Sequence, residues 1–387
     1  MHIVYVNYHG SRSNSAVHIF HLANELVRRG ARCTVCVPQD EDFGEIGPAN
    51  FASIPFSDAG SIAADSSQPT IVHAWTPREV VRKIVERLSG RIGCPYIVHL
   101  EDNEDVLLSE SLCVPSAKLL RMSETDLDRL VPEHLSHPRR AREFIAKAAG
   151  LSCLVDRLLE FKPADRPGCV VWPGYDPERT WQQSKDPDLA AQLGIGPGQS
   201  VLAYTGNVHA ANRREVASLY IAVAILNRRG LPTRLIRTGT DYQNPLEPEI
   251  APAIRPYAIE MGRVPRDDLP RLLALSDVLV QPGRVDEFNA YRFPSKLPEF
   301  LASGKPVVLP NTNIGLHLRD GEQCLLLQSG WATEIADKVE SLLRDKERAA
   351  KIGRQGREFA RTHLQWTHAA ERMETLYKQA LAGGLRP

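Results

Sequence analysis

The most chemically loaded stretch of this sequence is Pro294-Ser-Lys-Leu-Pro-Glu299. It opens a helical pattern, with Ser295 placed to cap it. A helix start carries unpaired backbone N–H groups and a partial positive charge, which suit a phosphate. Lys296 adds a full cation there, and Glu299, one turn further in, can accept hydrogen bonds from two neighbouring sugar hydroxyls. A second cationic position ends the stretch Gly206-Asn-Val-His-Ala-Ala-Asn-Arg213, since an arginine there can pair with phosphate. A third concentration is acidic, Glu101-Asp-Asn-Glu-Asp105, after the apolar run Tyr96 to Leu100. The plain structural alternatives are a capped helix with solvated charges, a solvated helix start, and an exposed acidic loop or N-cap.

The elements that must position these groups are short apolar runs alternating with helical patterns. Ile3 to Val6 reads as the first strand, followed by a loop containing Ser15 and a helix with apolar positions Val17, Ile19, Phe20, Ala23, Leu26 and Val27. Gly30 is placed to stop that helix. Further strands are expected at Cys33–Val37, Thr70–His73, Tyr96–Leu100, Leu151–Val155 and Cys169–Val171. The series restarts with strands at Ser200–Thr205, Thr233–Arg237, Ala258–Met261, Val278–Gln281, Pro306–Leu309 and Cys324–Leu327, and a helix at Glu215–Asn227. Such alternation predicts an α/β chain with two doubly wound, Rossmann-like parallel sheets. The Gly-, Pro- and Gln-rich stretch Pro173 to Gln199 reads as their linker. The expected division is residues 1–178, 196–365 and a last amphipathic helix within 366–387, with ligands in a cleft beyond the carboxyl ends of the strands.

Composition narrows the function. The 387 residues exceed one ordinary core. Lys+Arg and Asp+Glu are both 47, and no basic run with interleaved aromatics occurs, so nucleic acid is not an expected partner. The seven cysteines are odd in number and scattered, which fits a reducing compartment and hence the cytoplasm. The only close pair, Cys33 and Cys36, falls within a strand and faces opposite ways, which argues against a metal or redox role. No window approaches the roughly 18 apolar residues of a membrane span, and Met1-His-Ile-Val-Tyr-Val6 reads as a strand rather than a leader.

Glu299-Phe-Leu-Ala-Ser-Gly-Lys-Pro-Val-Val308 resembles the donor-site helix of retaining glycosyltransferases of family 4, the glycosyl transferases group 1, which have the GT-B fold. Their motif has two glutamates separated by seven residues. Glu299 matches the second, which in the family binds the donor ribose; the first position is Tyr291 here. The resemblance spans nearly the whole chain. Gly206 to Arg213 is similar to the family's Gly-Arg…Lys diphosphate grip, with Asn207 at the arginine position and Arg213 at the lysine position. Leu235-Ile-Arg-Thr-Gly239 and Met261-Gly-Arg-Val264 resemble elements of the donor domain, and the residue at Val264 meets the base through its backbone in the family. Val72-His-Ala-Trp-Thr-Pro77 is similar to a strand ending in histidine. Pro95 to Glu104 matches the next strand, whose exit loop often holds a histidine near the reacting centre; Glu101 occupies that position. Val171-Trp-Pro-Gly-Tyr-Asp176 matches the interdomain segment, without its asparagine.

The resemblance implies transfer of a sugar from a nucleotide sugar, UDP- or GDP-linked, to an acceptor hydroxyl with retention of anomeric configuration. It requires no cofactor and no metal. Donor-nucleotide and diphosphate residues are Gly206, Asn207, Arg213, Arg237, Val264, Ser295, Lys296 and Glu299. Catalytic candidates are Glu101, Asp102 and His73, with a buried structural role the alternative for His73 and His99. Ser15, Asn289, Tyr291 and Arg292 are assigned to the donor sugar or acceptor. The acceptor is a glycan, a lipid-linked molecule or a small molecule, which leaves attachment at the inner face of a membrane open. Two other readings stay open: a nucleotide-sugar epimerase on the same fold, and a non-catalytic nucleotide-sugar binding protein. The stretch Leu107 to Arg142 has no counterpart and reads as an acceptor-side insertion.

Overall fold

A computed structural model of the protein describes residues 1–11, 13–39, 42–63 and 67–383. The chain divides into two compact units. The first comprises residues 1–173, 291–293 and 366–387; the second comprises 174–290 and 294–365.

The first unit is built on β1 (His2–Asn7), β2 (Arg32–Val37), β3 (Ala52–Pro55), β4 (Thr70–Trp75), β5 (Tyr96–Leu100), β6 (Gly150–Cys153) and β7 (Gly168–Val170). They form one parallel sheet in the order β3-β2-β1-β4-β5-β6-β7. β1 and β4 are buried along their whole length, as strands covered by helices on both faces must be. Order reverses between β1 and β4, where Asn7 stands beside Trp75. The sequence signal missed β3, which is only four residues long and carries Ala, Ser and Pro.

The helix Asn14–Arg28 follows β1, with Ser13 Oγ accepting from Ala16 N at 3.0 Å. Its buried face holds His18 and Asn24 besides Ile19, Phe20, Ala23 and Leu26, whereas Val17 and Val27 are only half-buried. The last helix, Trp366–Gly383, lies in the same core, where Met373, Leu376 and Tyr377 are fully buried. Each such side chain contributes ~1.5–3 kcal/mol of hydrophobic stabilisation. Residues 104–147 form four helices, Glu104–Leu112, Ser116–Leu119, Glu124–Leu130 and Pro138–Lys147. A small separate core of Leu108, Leu119, Leu127 and Leu135 holds the first three.

The second unit repeats the pattern with β8 (Ser200–Thr205), β9 (Thr233–Thr238), β10 (Ala258–Gly262), β11 (Val278–Val280), β12 (Val307–Pro310) and β13 (Leu325–Leu327), all parallel, in the order β10-β9-β8-β11-β12-β13. Here the reversal falls between β8 and β11. The helix Arg213–Arg228 follows β8, and the helices Ala332–Arg344 and Lys346–His363 close the unit. The expected linker is part of this unit and carries the helix Pro187–Gln192. Among the described residues no helix is long and apolar enough to cross a membrane.

Candidate active site

In the second unit the polar groups gather where strand order reverses. Gly206 follows β8 with φ +149°, and a Cβ on it would come within 3.0 Å of the Lys296 side chain. Lys296 Nζ donates to Gln281 Oε1 at 3.2 Å and lies 4.8 Å from the centre of the Tyr204 ring. Its ammonium is thus held at the tips of β8 and β11, in the crevice where open α/β sheets bind ligands. Gly239, after β9, has φ +108°, and a Cβ there would sit 2.4 Å from the Gly206 carbonyl oxygen. Only glycine permits this approach. Asn207 Oδ1 accepts from Thr240 N at 2.8 Å, which ties the two loops together.

Glu299 lies one turn into the helix Leu297–Ala302 with its side chain 16% exposed, 4.0 Å from Arg266. Burial pushes its carboxyl up to about 7 against the pull of Arg266, Arg179 and Lys296, with Asp176 adding to the rise. Arg179 bridges Asp176, at 2.7 Å, and Asp267. Val264 stands half-buried after β10, two residues before Arg266.

Four expected site residues, Ser295, Arg237 and Arg213 of the donor set and Asn289 of the donor-sugar or acceptor set, act differently. Ser295 does not cap the helix: Lys296 takes the cap position and no side chain bonds there. Leu297 N donates to Pro294 O and Pro298 has no N–H, so this helix start has few donors left for a phosphate. Arg237 is a buried strut, 2% exposed; it donates to Glu260 at 2.7 Å, Asp241 at 2.6 Å and the Gly206 carbonyl at 3.3 Å. Two carboxylates compensate it, which leaves no net charge for a diphosphate. Arg213 donates to Glu247 at 2.5 Å and Asn244 O at 2.6 Å, and must exchange the former to grip an anion. Asn289 is buried, donating to Glu215 at 2.6 Å and accepting from Asn313 at 3.1 Å, so it supports the loop after β11.

In the first unit the acidic group sits beyond β5. Both Glu101 oxygens are engaged: Oε2 accepts from Ser15 Oγ at 2.5 Å and Oε1 from Trp75 Nε1 at 3.0 Å, with His18 Nδ1 3.3 Å away. Burial raises its pKa, but His18, His99 and Ser15 outweigh it and bring the carboxyl down to about 2. An anion so stabilised is an anchor, not a base, and Ser15 serves it. Asp102 differs. It is 32% exposed, with Arg292 Nε at 3.8 Å. Burial raises it to about 6, with Arg292 and Arg78 opposing and Glu101 and Glu104 assisting. The structure separates two adjacent carboxylates that sequence could not distinguish.

His73 takes the place of the buried structural histidine held open as its alternative. It is fully buried, its Nδ1 2.8 Å from Tyr377 Oη and its Nε2 3.2 Å from Ser152 Oγ, and burial with neighbouring His99 lowers its pKa. Tyr291 is also committed, its hydroxyl accepting from Arg157 Nε at 3.2 Å and donating to Glu160.

Several residues at this edge carried no sequence signal. Arg78 lies over the Tyr8 ring at 3.7 Å and 3.6 Å from Glu104. Thr76 is fully buried with φ +75°, a strained conformation for a β-branched residue that marks functional edges. Asn103 caps the next helix, accepting from Asp105 N at 3.1 Å and Val106 N at 3.3 Å. Thus the N-cap reading of the acidic tip holds for Asn103.

Residues 199–345 match the family described as Glycosyl transferases group 1. The matched stretch makes up most of the second unit. A curated relative, the D-inositol 3-phosphate glycosyltransferase of Nocardia farcinica, is 28% identical over 272 residues, covering 65% of this chain and 57% of that protein. The chain therefore spans little more than half the length of that relative. Among solved structures, the sucrose-phosphate synthase of Thermosynechococcus elongatus is 15% identical with a TM-score of 0.70, covering 98% of this chain and 99% of that one. Anabaena HepE in complex with UDP is 16% identical with a TM-score of 0.69, covering 98% and 100%. These likenesses show the GT-B fold.

Within the matched residues lie Gly206, Lys296 and Glu299; the acidic edge lies outside them, and Tyr291, though within them, belongs to the first unit. The substitution of Asn207 for a cation is explained locally by its bond to the β9 loop. Among the described residues, one group could hold a metal: Glu124, Asp128 and His137 in the 104–147 helices. Arg139 and Arg140 pair with those carboxylates, and His137 Nδ1 accepts from Arg140 N at 3.3 Å.

Proposed function

We propose that the chain is a glycosyltransferase that moves a hexosyl group from a UDP- or GDP-sugar to an acceptor hydroxyl with retention of configuration. The observation that carries this is the Lys296 ammonium, held against Gly206 at the strand-order reversal of a group 1 glycosyl transferase domain. Charge accumulates on the leaving diphosphate as the bond from the anomeric carbon to its oxygen breaks, and a fixed cation there lowers the barrier. Glu299 receives the ribose hydroxyls, and the backbone at Val264 receives the base. The first unit holds the acceptor. Asp102, ionised above about pH 6, receives a hydrogen bond from the acceptor hydroxyl. As that oxygen bonds to the anomeric carbon, its proton passes to the departing diphosphate. The names of the Nocardia relative and of the UDP-bound HepE support sugar transfer and a nucleotide donor respectively.

Calorimetric titration with UDP and GDP tests the donor site. Lys296→Ala is expected to weaken the preferred nucleotide by about a hundredfold, the ~3 kcal/mol of a buried charge-assisted contact. Arg213→Ala is expected to cost less, because its partner Glu247 is already in place. Unchanged affinity in Lys296→Ala would remove this donor site.

A further inference from the structure

The edge of the first unit has an excess of lone pairs. Asn7 ends β1 fully buried; its Nδ2 donates to His9 O at 2.6 Å, which fixes the amide, and its Oδ1 has no partner among the described residues. Glu104, its side chain 9% exposed, accepts from Ser136 Oγ at 2.6 Å through Oε2, while its buried Oε1 has no partner among the described residues. Asp102 is approached by Arg292 Nε at 3.8 Å, with Arg78 acting on its charge as well. Thr76 Oγ1 is also buried without a partner among the described residues. Among the described residues the unpartnered donors of the group are the Thr76 hydroxyl and Arg78 Nε, the latter 3.6 Å from Glu104 and over the ring of Tyr8.

The charges point the same way. Glu101, Asp102 and Glu104 are carboxylates, and the guanidiniums near them, Arg78 and Arg292, each already face one of these. Among the described residues no uncompensated cation stands at this edge for a phosphate ester, whose charge would meet a net negative field. Buried acceptors without donors cost stability until a ligand supplies the hydrogens. An ammonium brings three donors and a positive charge, and ring hydroxyls bring the rest.

We infer that this edge takes an acceptor with an amino group on a polyhydroxyl ring and discriminates against a phosphorylated one. The acceptor would then differ from that in the name of the Nocardia relative. In this arrangement Glu104 Oε1 and one Asp102 oxygen receive the ammonium, which leaves the other Asp102 oxygen to the reacting hydroxyl; Asn7 Oδ1 accepts from a further hydroxyl, and Thr76 Oγ1 accepts from or donates to one. The inference rests on the proposed assignment of the acceptor to the first unit.

The test uses the full chain, saturated with whichever of UDP or GDP it binds, and titrates myo-inositol, myo-inositol 3-phosphate and streptamine, a related ring bearing amines. Streptamine is expected to bind about tenfold or more tighter than inositol, a difference of ~1.4 kcal/mol, and inositol 3-phosphate more weakly than inositol. Glu104→Gln and Asp102→Asn, both near-isosteric, are each expected to cut the streptamine-to-inositol ratio at least about fivefold, with nucleotide affinity retained. The inference is overturned if the phosphate ester binds as tightly as streptamine, if none of the three ligands binds, or if the ratio survives both substitutions. The nucleotide step separates the failures. Loss of nucleotide binding in wild type would refute the donor reading, whereas nucleotide binding without amine preference would refute this inference alone.

Discussion

At the scale of single residues, the same carboxyl group does different work in different surroundings. Glu101 is held ionised, Asp102 is raised to about 6 and Glu299 to about 7. A ribose hydroxyl donates to a carboxylate better than to its protonated form, so Glu299 makes nucleotide affinity depend on pH. The carboxyl is raised chiefly by burial, with Arg266, Arg179 and Lys296 favouring ionisation and Asp176 opposing it. Affinity should therefore strengthen as pH rises through about 7, by up to tenfold per unit. Because the nucleotide phosphate also titrates, the readout is the difference between wild type and Glu299→Gln, in which this part of the profile should be flat. Asp102 gives a second pH limit. If it must be ionised to accept a hydrogen bond from the acceptor, turnover should fall as pH drops through about 6, and Asp102→Asn should lower kcat and remove that limb. A wild-type profile flat from pH 5 to 8 would exclude this role. For stability the sign reverses: a carboxyl raised in the fold contributes most when protonated and loses that contribution as pH rises through its folded value. Asp102→Asn should therefore not destabilise the protein at pH 8. Glu101, lowered in the fold, contributes above about pH 4.5 and loses its contribution as pH falls toward about 2.

At the scale of elements, the strands were legible because both faces of each parallel sheet are covered, which demands continuous apolar runs such as Ile3 to Val6. Tyr96–Leu100 and Ser200–Thr205 fall where their patterns place them. The loops were legible only in part. Lys296 and Glu299 follow from local sequence, but the role of Arg237 depends on Glu260 and that of Tyr291 on Glu160, residues brought near by the fold. No local pattern announces such partners, and a left-handed threonine at position 76 has no signature at all. The glycine loops make a sharper prediction. Gly239 combines a positive φ with backbone contact against Gly206, so Gly239→Ala must displace the loop that positions Lys296. The strain is ~1–3 kcal/mol. Nucleotide affinity should fall by about tenfold or more, with the sheet's far-ultraviolet circular dichroism preserved. An alanine variant binding as wild type would show that this close approach does not shape the site.

At the scale of the whole chain, the last helix folds into the unit that holds the first strand. Tyr377 Oη is 2.9 Å from Tyr5 Oη on β1 and 2.8 Å from His73 Nδ1 on β4, and all three residues are fully buried. The chain closes over more than three hundred residues at these contacts, so their ordering cost is large while the gain per bond is modest. Tyr377→Phe keeps the ring packing and removes the shared hydroxyl, leaving Tyr5 and His73 without that partner. Stability of the first unit should fall by ~1–3 kcal/mol, the cost of unsatisfied buried polar groups, read as a lower urea midpoint at unchanged slope. Lys296, Gly206 and Glu299 all belong to the second unit, so nucleotide affinity at low denaturant should stay within about twofold of wild type, well under 1 kcal/mol. A loss of affinity matching the loss of stability would instead mean that nucleotide binding draws on the folded first unit, and that the donor site is not complete in the second unit alone.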